Sequence, residues 1–488
     1  MVRLERTGMI GAVLIGLVGL FFFYDLGRFP IFQWDEARYV NNSLEVLTLG
    51  NWFHFTMDGA VDTWNFKPPL VLWLQAISMQ LFGINEWAVR LPSALAGIGI
   101  AVLLYWFCVT TLESVWTGVA TVLFYAASCG FISPHIGRSA DLDAVQTFFV
   151  LWYVLLFLHY LVAERTDKYI FLQLGILVLL AFLCKGMPGL LLLPYLLIIS
   201  CLPENYRRVF FNKSLYFYAT LTMAACLAYY VLRELDYPGY WDLVKKSEFN
   251  RFSGKGVEWH QQPFNFYLKN FTEQKRYFFL IYLLPLTLLT FLTGRYAPTR
   301  RVFLYICLIT LGYFLFISIP PIKLEWYDAP LYPLFALLFG IATKHGVESL
   351  AGRHPWWPLV MVALSLALCW PHYRYTWRKI QYSPEKTVDF EREGLVMRQL
   401  SVEQPLIRDY TVFIDKRKVE HLDQVKFYQK AFAHDWQANI LLKDKVAELH
   451  PGERVLVAQP RFADSIRLYF PAADTIFAIP EGALIRIN

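Results

Sequence analysis

Residues 68–83, PPLVLWLQAISMQLFG, decide how this chain folds, because their reading sets which side of a membrane every other segment lies on. At 1.5 Å per residue a helix here reaches roughly 24 Å, short of the roughly 30 Å of bilayer hydrocarbon. Apolar runs near 8–25, 91–111, 114–134, 142–163, 169–184, 187–202, 214–234, 277–293, 302–319, 329–345 and 356–372 read as spans. If 68–83 does not cross, the segments with Arg3 and Arg6, Arg165 and Lys168, Arg207, Arg208 and Lys213, Arg295, Arg300 and Arg301, and Lys344 and Arg353 share one side. That is the bias of cytoplasmic loops. If 68–83 crossed, the two sets would be scrambled. The stretch is therefore predicted to be an interfacial helix along the outer face. The chain then reads as an α-helical polytopic membrane protein with about eleven transmembrane helices, N-terminus inside and C-terminus outside.

Composition points the same way. Of 488 residues, 56% are hydrophobic and 17% charged, and the mean hydropathy is +0.38. A soluble domain carries about 25% charged residues, so this chain cannot cover a soluble surface. The net charge of +6 matches the cytoplasmic loop bias and does not call for nucleic acid. The seven cysteines (Cys108, Cys129, Cys184, Cys201, Cys226, Cys307 and Cys369) sit in or beside apolar runs without a CxxC pair. They read as small buried hydrophobes, not as disulfides or thiolate metal ligands. The N-terminal run lacks a convincing small-x-small cleavage site and reads as an uncleaved first span.

From about residue 375 polar residues increase. Strand-like runs at 410–414, 454–458 and 475–479 alternate with helix-like stretches at 419–432 and 440–449. The predicted organisation is a transmembrane domain over 1–374 and a small soluble α/β domain over 375–488. The latter has no Gly-rich phosphate loop and no nucleophile triad pattern, so it is expected to bind, gate or stabilise.

The topology gathers the unusual polar residues on the outer side. The first loop holds Asp35, Glu36, Arg38, Tyr39, Glu45, His54, Asp58, Asp62 and Lys67. The second holds Arg138, Asp141 and Asp143. Lys185 interrupts an apolar run, and later loops add Glu248, Arg251, His260, Lys323, Glu325, Tyr327 and Asp328. Carboxylates suit a general base or a metal. Lysine and arginine beside a membrane suit a lipid phosphate, whose leaving is eased by positive charge. Bland readings stand beside these. Arg38 and Lys67 can hold headgroups, Glu36 reads as a solvated or paired surface charge, Asp141 fits a helix cap, and His260 alone reads as structural. Lys185 needs an anionic partner, because an unpaired ammonium in an apolar run is costly. The residues favour group transfer from a phosphorylated lipid on the outer face.

Several short motifs occur in order. They are Asp35-Glu36-Ala37-Arg38-Tyr39, Lys67-Pro68-Pro69-Leu70, Arg90-Leu91-Pro92-Ser93-Ala94, and Arg138 with Asp143. Lys185-Gly186 with Pro188-Gly189, Arg251-Phe252 with His260 and Pro263, and Lys323 with Tyr327, Pro330 and Pro333 follow. Over about residues 8–345 the chain resembles the bacterial membrane glycosyltransferases of the C-type fold, in the aminoarabinose-transferase-like and protein O-mannosyltransferase-like group. The resemblance implies a polyprenyl-phosphate sugar donor, inversion at the anomeric carbon, and a multi-pass protein of the cytoplasmic (inner) membrane with its active site facing the periplasm. It implies that Asp35 is the catalytic carboxylate on the acceptor side, with Arg38 and Tyr39 flanking it, and that Asp143, the acidic residue of the second loop, is a second catalytic residue. Lys67, Lys185 and Arg251 are expected near the donor phosphate, and Tyr327 near the lipid carrier. Arg138, Glu248, His260 and Lys323 complete the expected substrate-binding set. The aminoarabinose branch commonly has an acidic residue, implicated in metal binding, before Lys-Pro-Pro. Here that residue is Phe66. This leaves Asp35, Asp143, Glu248 and His260 as candidate ligands for a divalent metal ion.

The expected partners are thus a lipid-linked sugar, a lipid, glycan or protein acceptor, and the bilayer. The alternative reading is a transporter or flippase for a lipid-linked sugar. Transporters place ionisable groups near the bilayer midplane, whereas these charges cluster in the outer loops. A non-catalytic scaffold displaying the C-terminal domain would leave those charges without a purpose.

Overall fold

The computed structural model describes residues 2–132, 135–162, 169–202, 204–254, 260–272, 297–351, 354–381, 388–414 and 422–488. The membrane domain is built from α1 (Val2–Phe23), α2 (Asp35–Leu49), α3 (Leu70–Phe82), α4 (Glu86–Thr110), α5 (Val115–Ala126), α6 (Asp143–Val162) and α7 (Ile170–Lys185). It continues with α8 (Leu193–Cys201), α9 (Lys213–Asp236), α10 (Tyr240–Ser253), α11 (Phe266–Thr272), α12 (Ala297–Ser318), α13 (Leu331–Ala351) and α14 (Trp357–Gln381). Every span expected from the sequence falls on one of these helices except 277–293, which lies outside the described residues. Glu86–Thr110, Asp143–Val162, Lys213–Asp236 and Thr299–Ser318 are each long and apolar enough to cross a bilayer.

Others are shorter than their apolar runs. α5 has 12 residues, and the chain then continues without helix through Ala127, Cys129, Phe131 and Ile132, all buried. Irregular backbone at such depth survives only when surrounded by protein. Helix starts follow local chemistry: Asn85 Oδ1 accepts from Ala88 N at 2.9 Å, and Ser114 Oγ from Thr117 N at 3.3 Å. Small residues allow close crossings. A Cβ on Gly340 of α13 would stand 2.0 Å from Thr121 Oγ1 of α5, so only glycine fits between them.

Residues 68–83 form α3, a 13-residue helix. The first outer loop contains more order than expected. It holds α2 and a hairpin of β1 (Thr56–Met57) with β2 (Ala60–Val61). Asn41, Asn42 and Ser43 of α2 are fully buried and Glu45 is nearly so. α2 ends at Gly50, whose φ of 74° is the left-handed cap that glycine adopts freely.

The C-terminal domain contains α15 (Val388–Glu403), β3 (Asp409–Phe413), α16 (Asp423–Trp436), β4 (Asn439–Lys443), β5 (Arg454–Val457), α17 (Pro460–Tyr469), β6 (Asp474–Ile479) and β7 (Gly482–Arg486). The sheet order is β4-β3-β5-β7-β6. β3 pairs parallel with β4 and β5, while β7 pairs antiparallel with β5 and β6. The helix predicted over 440–449 is instead β4 followed by a short 3-10 turn, Val446–Glu448. A run as short as Ile440-Leu441-Leu442 has no decisive period, and pairing with β3 buries Ile440. α14 continues past residue 375 to Gln381.

α16 lies on α2 and on the chain before it. Lys430 Nζ reaches Glu45 Oε1 at 2.6 Å and Asp58 Oδ1 at 2.9 Å, and Lys426 Nζ reaches Asp58 Oδ2 at 2.6 Å. Ile31, Ala37, Val40 and Leu44 share one apolar core with Val396, Val425 and Tyr428.

Beneath this contact is a buried ion pair. Glu36, read from the sequence as a surface charge, is fully buried, and Arg90 of α4 is 1% exposed. Glu36 Oε1 accepts from Arg90 Nε (2.8 Å) and Ala140 N (2.8 Å); Oε2 accepts from Arg90 Nη2 (2.9 Å) and Phe32 N (2.6 Å). Arg90 also donates to the carbonyls of Leu26 (3.1 Å), Phe29 (2.8 Å) and Pro30 (2.8 Å). Removing one partner of such a pair costs about 3–5 kcal/mol, because the other charge stays buried. Glu36→Gln is therefore expected to lower the unfolding temperature of the purified protein sharply. Arg90→Lys should fare little better, since an ammonium cannot match the five-donor fork. Arg28→Ala, which breaks an exposed pair with Asp25, should change it by no more than about 0.5 kcal/mol in stability.

Candidate active site

Asp35 opens α2, one residue before the buried Glu36. The backbone at Trp34 has φ 79° and ψ −124°, a conformation that aromatic residues rarely adopt. Asp35 lies within electrostatic reach of Asp141, His135, Lys185 and Asp143. Burial, and then the neighbouring charge of Asp141, push its carboxyl up to about 6, against the pull of His135 and Lys185. A carboxylate tuned upward in this way suits proton transfer near neutral pH.

The surrounding charges have assigned partners. Lys185 Nζ, at the last residue of α7, lies 2.5 Å from Asp143 Oδ1 at the first residue of α6. This supplies the anionic partner that Lys185 requires. The Tyr327 ring lies under the same ammonium at 5.2 Å, so the structure brings Asp143, Lys185 and Tyr327 together. Asp141 Oδ2 accepts from Ser139 Oγ at 2.7 Å and meets His135 Nδ1 at 3.3 Å. Its observed partners are thus a hydroxyl and an imidazole, not the helix backbone. His135 stacks on Trp326 with ring centroids 4.6 Å apart. Although burial alone would lower it, the bond and charge of Asp141, with Asp35 and Glu36, raise the imidazole to about 9. It is therefore positive at neutral pH.

A second group surrounds Lys67, whose Nζ bonds Glu248 Oε1 of α10 at 2.9 Å and sits 4.2 Å from the Phe66 ring centre. Tyr240 Oη donates to the Phe66 carbonyl at 2.7 Å. Arg251 lies on α10 one turn beyond Glu248, and its side chain is outside the described residues. Lys323 Nζ donates to the carbonyls of Gln262 (2.9 Å) and Pro320 (2.5 Å), and its backbone N–H donates to the His260 carbonyl at 3.0 Å.

Two expected substrate cations are directed elsewhere. Arg138 donates through Nη1 to the carbonyls of Phe21 (2.8 Å) and Phe22 (2.9 Å), and through Nη2 to those of Tyr24 (2.7 Å) and Asp25 (3.2 Å). It satisfies carbonyls at the C-terminal end of α1, which lack intrahelical donors. Arg38 forms a two-bond pair with Asp62, Nε to Oδ2 at 3.2 Å and Nη2 to Oδ1 at 2.8 Å, and lies over the Trp64 ring at 5.1 Å. Tyr39 is buried with its ring 5.7 Å from Trp64. Sequence reasoning missed the structural weight of Glu36 and Arg90, and missed His135 altogether. Nothing near Arg90 in the sequence pointed to Glu36, and nothing singled out His135.

Among the described residues no group of three or more His, Cys, Asp or Glu side chains is arranged to hold a metal ion. Asp143 and Glu248, two of the four expected ligands, each face an ammonium.

This architecture, helices of a polytopic membrane domain carrying a carboxylate site under a C-terminal sheet domain, is that of the C-type membrane glycosyltransferases. The fold matches ArnT from Cupriavidus metallidurans bound to undecaprenyl phosphate, with a TM-score of 0.64 over 98% of both chains at 14% identity. It also matches an Archaeoglobus fulgidus oligosaccharyltransferase in complex with Zn and sulfate, with a TM-score of 0.50 over 87% of this chain and 61% of that one, at 12% identity. Residues 66–231 match the family described as dolichyl-phosphate-mannose-protein mannosyltransferase. The chain is 30% identical over 261 residues to an undecaprenyl phosphate-alpha-4-amino-4-deoxy-L-arabinose arabinosyl transferase of Aeromonas salmonicida, covering 51% of this chain and 45% of that one. The protein of the same name from Pseudomonas savastanoi pv. phaseolicola is 28% identical over 352 residues, 69% of this chain and 61% of that one. The chain thus spans about half to three-fifths of the length of these relatives. The resemblance read from the motifs holds.

Asp35 allows a test that separates chemistry from folding. Its folded pKa lies above its ordinary value of 3.8, so folding favours the protonated form. The stability this lends is present below about 3.8 and lost as pH rises through about 6. Asp35→Asn removes the costly charge. At pH 7.5 it should unfold at the wild-type temperature or higher while losing transfer. Wild-type transfer should rise with pH through a limb near 6.

Proposed function

We propose that this protein is an inverting membrane glycosyltransferase. It moves one sugar from a polyprenyl (undecaprenyl) phosphate to an acceptor outside the cytoplasmic membrane, such as lipid A, another glycolipid or glycan, or a protein. The similarity to named arabinosyl transferases and to the mannosyltransferase family supports this reading. The observation that carries it is Asp35, a shielded carboxylate with its pKa raised to about 6, within reach of the Asp143–Lys185 pair.

In this reading the ionised Asp35 accepts the proton of the acceptor's attacking group. The acceptor atom bonds to the anomeric carbon from the face opposite the phosphate. The bond between that carbon and the phosphate oxygen breaks, its electron pair leaves with the polyprenyl phosphate, and the configuration inverts. Positive charge placed where negative charge develops lowers this barrier. Lys185, Lys67 and Arg251 are assigned that task. Asp143 holds Lys185 in place through its 2.5 Å contact, and Tyr327 lines the same ammonium. Glu248 holds Lys67 and has to yield when phosphate arrives. The site is assigned to the periplasmic side of a bacterial inner membrane, in keeping with the charge distribution of the loops.

Mass spectrometry of envelope glycolipids and glycoproteins, with and without the protein, tests the assignment. Loss of a single sugar residue from one acceptor class is expected, and replacing the wild type by Asp35→Asn should reproduce that loss. An unchanged glycan profile together with movement of labelled lipid-linked sugar across the bilayer would favour the transporter reading instead.

A further inference from the structure

The turn that presents Asp35 is held from outside the membrane domain. Trp34 has φ 79° and ψ −124°, and such a backbone persists only where its surroundings over-determine it. From the membrane domain, Phe32 N donates to Glu36 Oε2 at 2.6 Å, Arg90 donates to the carbonyls of Phe29 and Pro30 at 2.8 Å each, and the N–H groups of Ala37 and Arg38 donate to the carbonyls of Phe32 (3.1 Å) and Trp34 (3.0 Å). The C-terminal domain supplies three more, all from α16. Ile31 N donates to Tyr428 Oη at 3.0 Å, Gln424 Nε2 donates to the Ile31 carbonyl at 2.5 Å, and Gln424 N donates to Gln33 Oε1 at 3.2 Å. Both peptide groups of Ile31 are therefore anchored by a domain some 390 residues away in sequence.

These two side chains are themselves fixed. Gln424 and Tyr428 are 1% and 3% exposed. Gln424 Oε1 accepts from Gly394 N of α15 at 3.2 Å, and a Cβ at Gly394 would stand 2.5 Å from Gln424 Cδ. Tyr428 Oη donates to Glu86 Oε1 at 2.7 Å, and Arg398 of α15 holds that carboxylate at 3.0 Å. The contacts at the other end of the interface are of another kind. Lys426 meets the partly exposed Asp58, away from the turn.

We propose that Gln424 and Tyr428 are positioning residues for Asp35, acting through the strained Trp34 turn, so that the C-terminal domain is a working part of the transfer site. This rests on Asp35 being the reacting carboxylate, as assigned above. Gln424→Ala has the larger effect, because it empties a buried position as well as removing the bond to the Ile31 carbonyl, whereas the main-chain Gln424 N–H bond to Gln33 survives in it. A misplacement of about 1 Å at a reacting group can cost roughly 100-fold in rate.

The test uses the full-length purified protein and the variants Gln424→Ala, Tyr428→Phe and, as a control, Lys426→Ala. Hydrogen exchange followed by mass spectrometry reads the turn without any sugar substrate. Peptides covering 31–40 should exchange about tenfold faster or more in Gln424→Ala, less so in Tyr428→Phe, with β3, β5 and α6 unchanged. Affinity for undecaprenyl phosphate, used as the probe, should stay within about twofold of wild type, while transfer to the envelope acceptor falls at least about tenfold. Lys426→Ala should leave exchange at 31–40 and transfer as they are. Unchanged exchange at 31–40 would overturn the proposal, as would faster exchange there with full transfer. Faster exchange spread through β3 and β5 would reduce Gln424 to a folding role. If the wild type transfers no sugar, the functional reading fails, and the exchange data then describe the turn alone.

Discussion

The ion pair between Glu36 and Arg90 is the constraint on which the outer face depends. It is buried on both sides and saturated with hydrogen bonds. Taking two charges out of water is expensive unless every lone pair and proton finds a partner. Here the partners come from the 26–32 segment, from α4 and from Ala140. One pair therefore sets where the first loop leaves α1, where α2 begins, and where the second loop approaches it. Asp35 precedes Glu36 by one residue, so its location follows from the position of the pair. Arg138 performs a parallel task by closing the carbonyl end of α1. Arg90 and Arg138 thus build the frame of the outer face.

The charge balance around Asp35 follows from that frame. Asp143 faces Lys185 and Asp141 faces His135. At Asp35, burial outweighs the attraction of these cations, and its pKa rises. Glu248 covers Lys67 in the same way that Asp143 covers Lys185. A lipid phosphate entering here would exchange one anion for another at an existing ammonium. This costs less than uncovering a bare charge, because a buried cation never stands alone.

The membrane spans were legible because long apolar runs and loop charges carry their information locally. The helix expected within 68–83 is α3, Leu70–Phe82. Lys185 was legible for a related reason: an ammonium inside an apolar run must have a partner, and Asp143 is that partner. What was hidden depends on distant chain. α2 carries Asn41, Asn42, Ser43 and Glu45, polar residues whose burial nothing nearby in the sequence announces, and α16 packs on this helix. Asn41 Nδ2 even donates to the carbonyl of Asp423. Glu36 looked like a surface charge because Arg90 lies 54 residues away. The strand β4 was hidden for the same reason, since its pairing with β3 is not written in its own five residues. The carbonyl contacts of Arg138 were hidden too, because α1 lies more than 110 residues away in sequence.

The most direct measurement is the structure of the purified protein with a non-transferable polyprenyl-phosphate sugar bound. The anomeric carbon should lie beside the Asp35 carboxylate, with the phosphate against the lysines and Glu248 drawn away from Lys67. A sugar bound far from Asp35, with the Glu248–Lys67 and Asp143–Lys185 contacts undisturbed and the phosphate elsewhere, would contradict it.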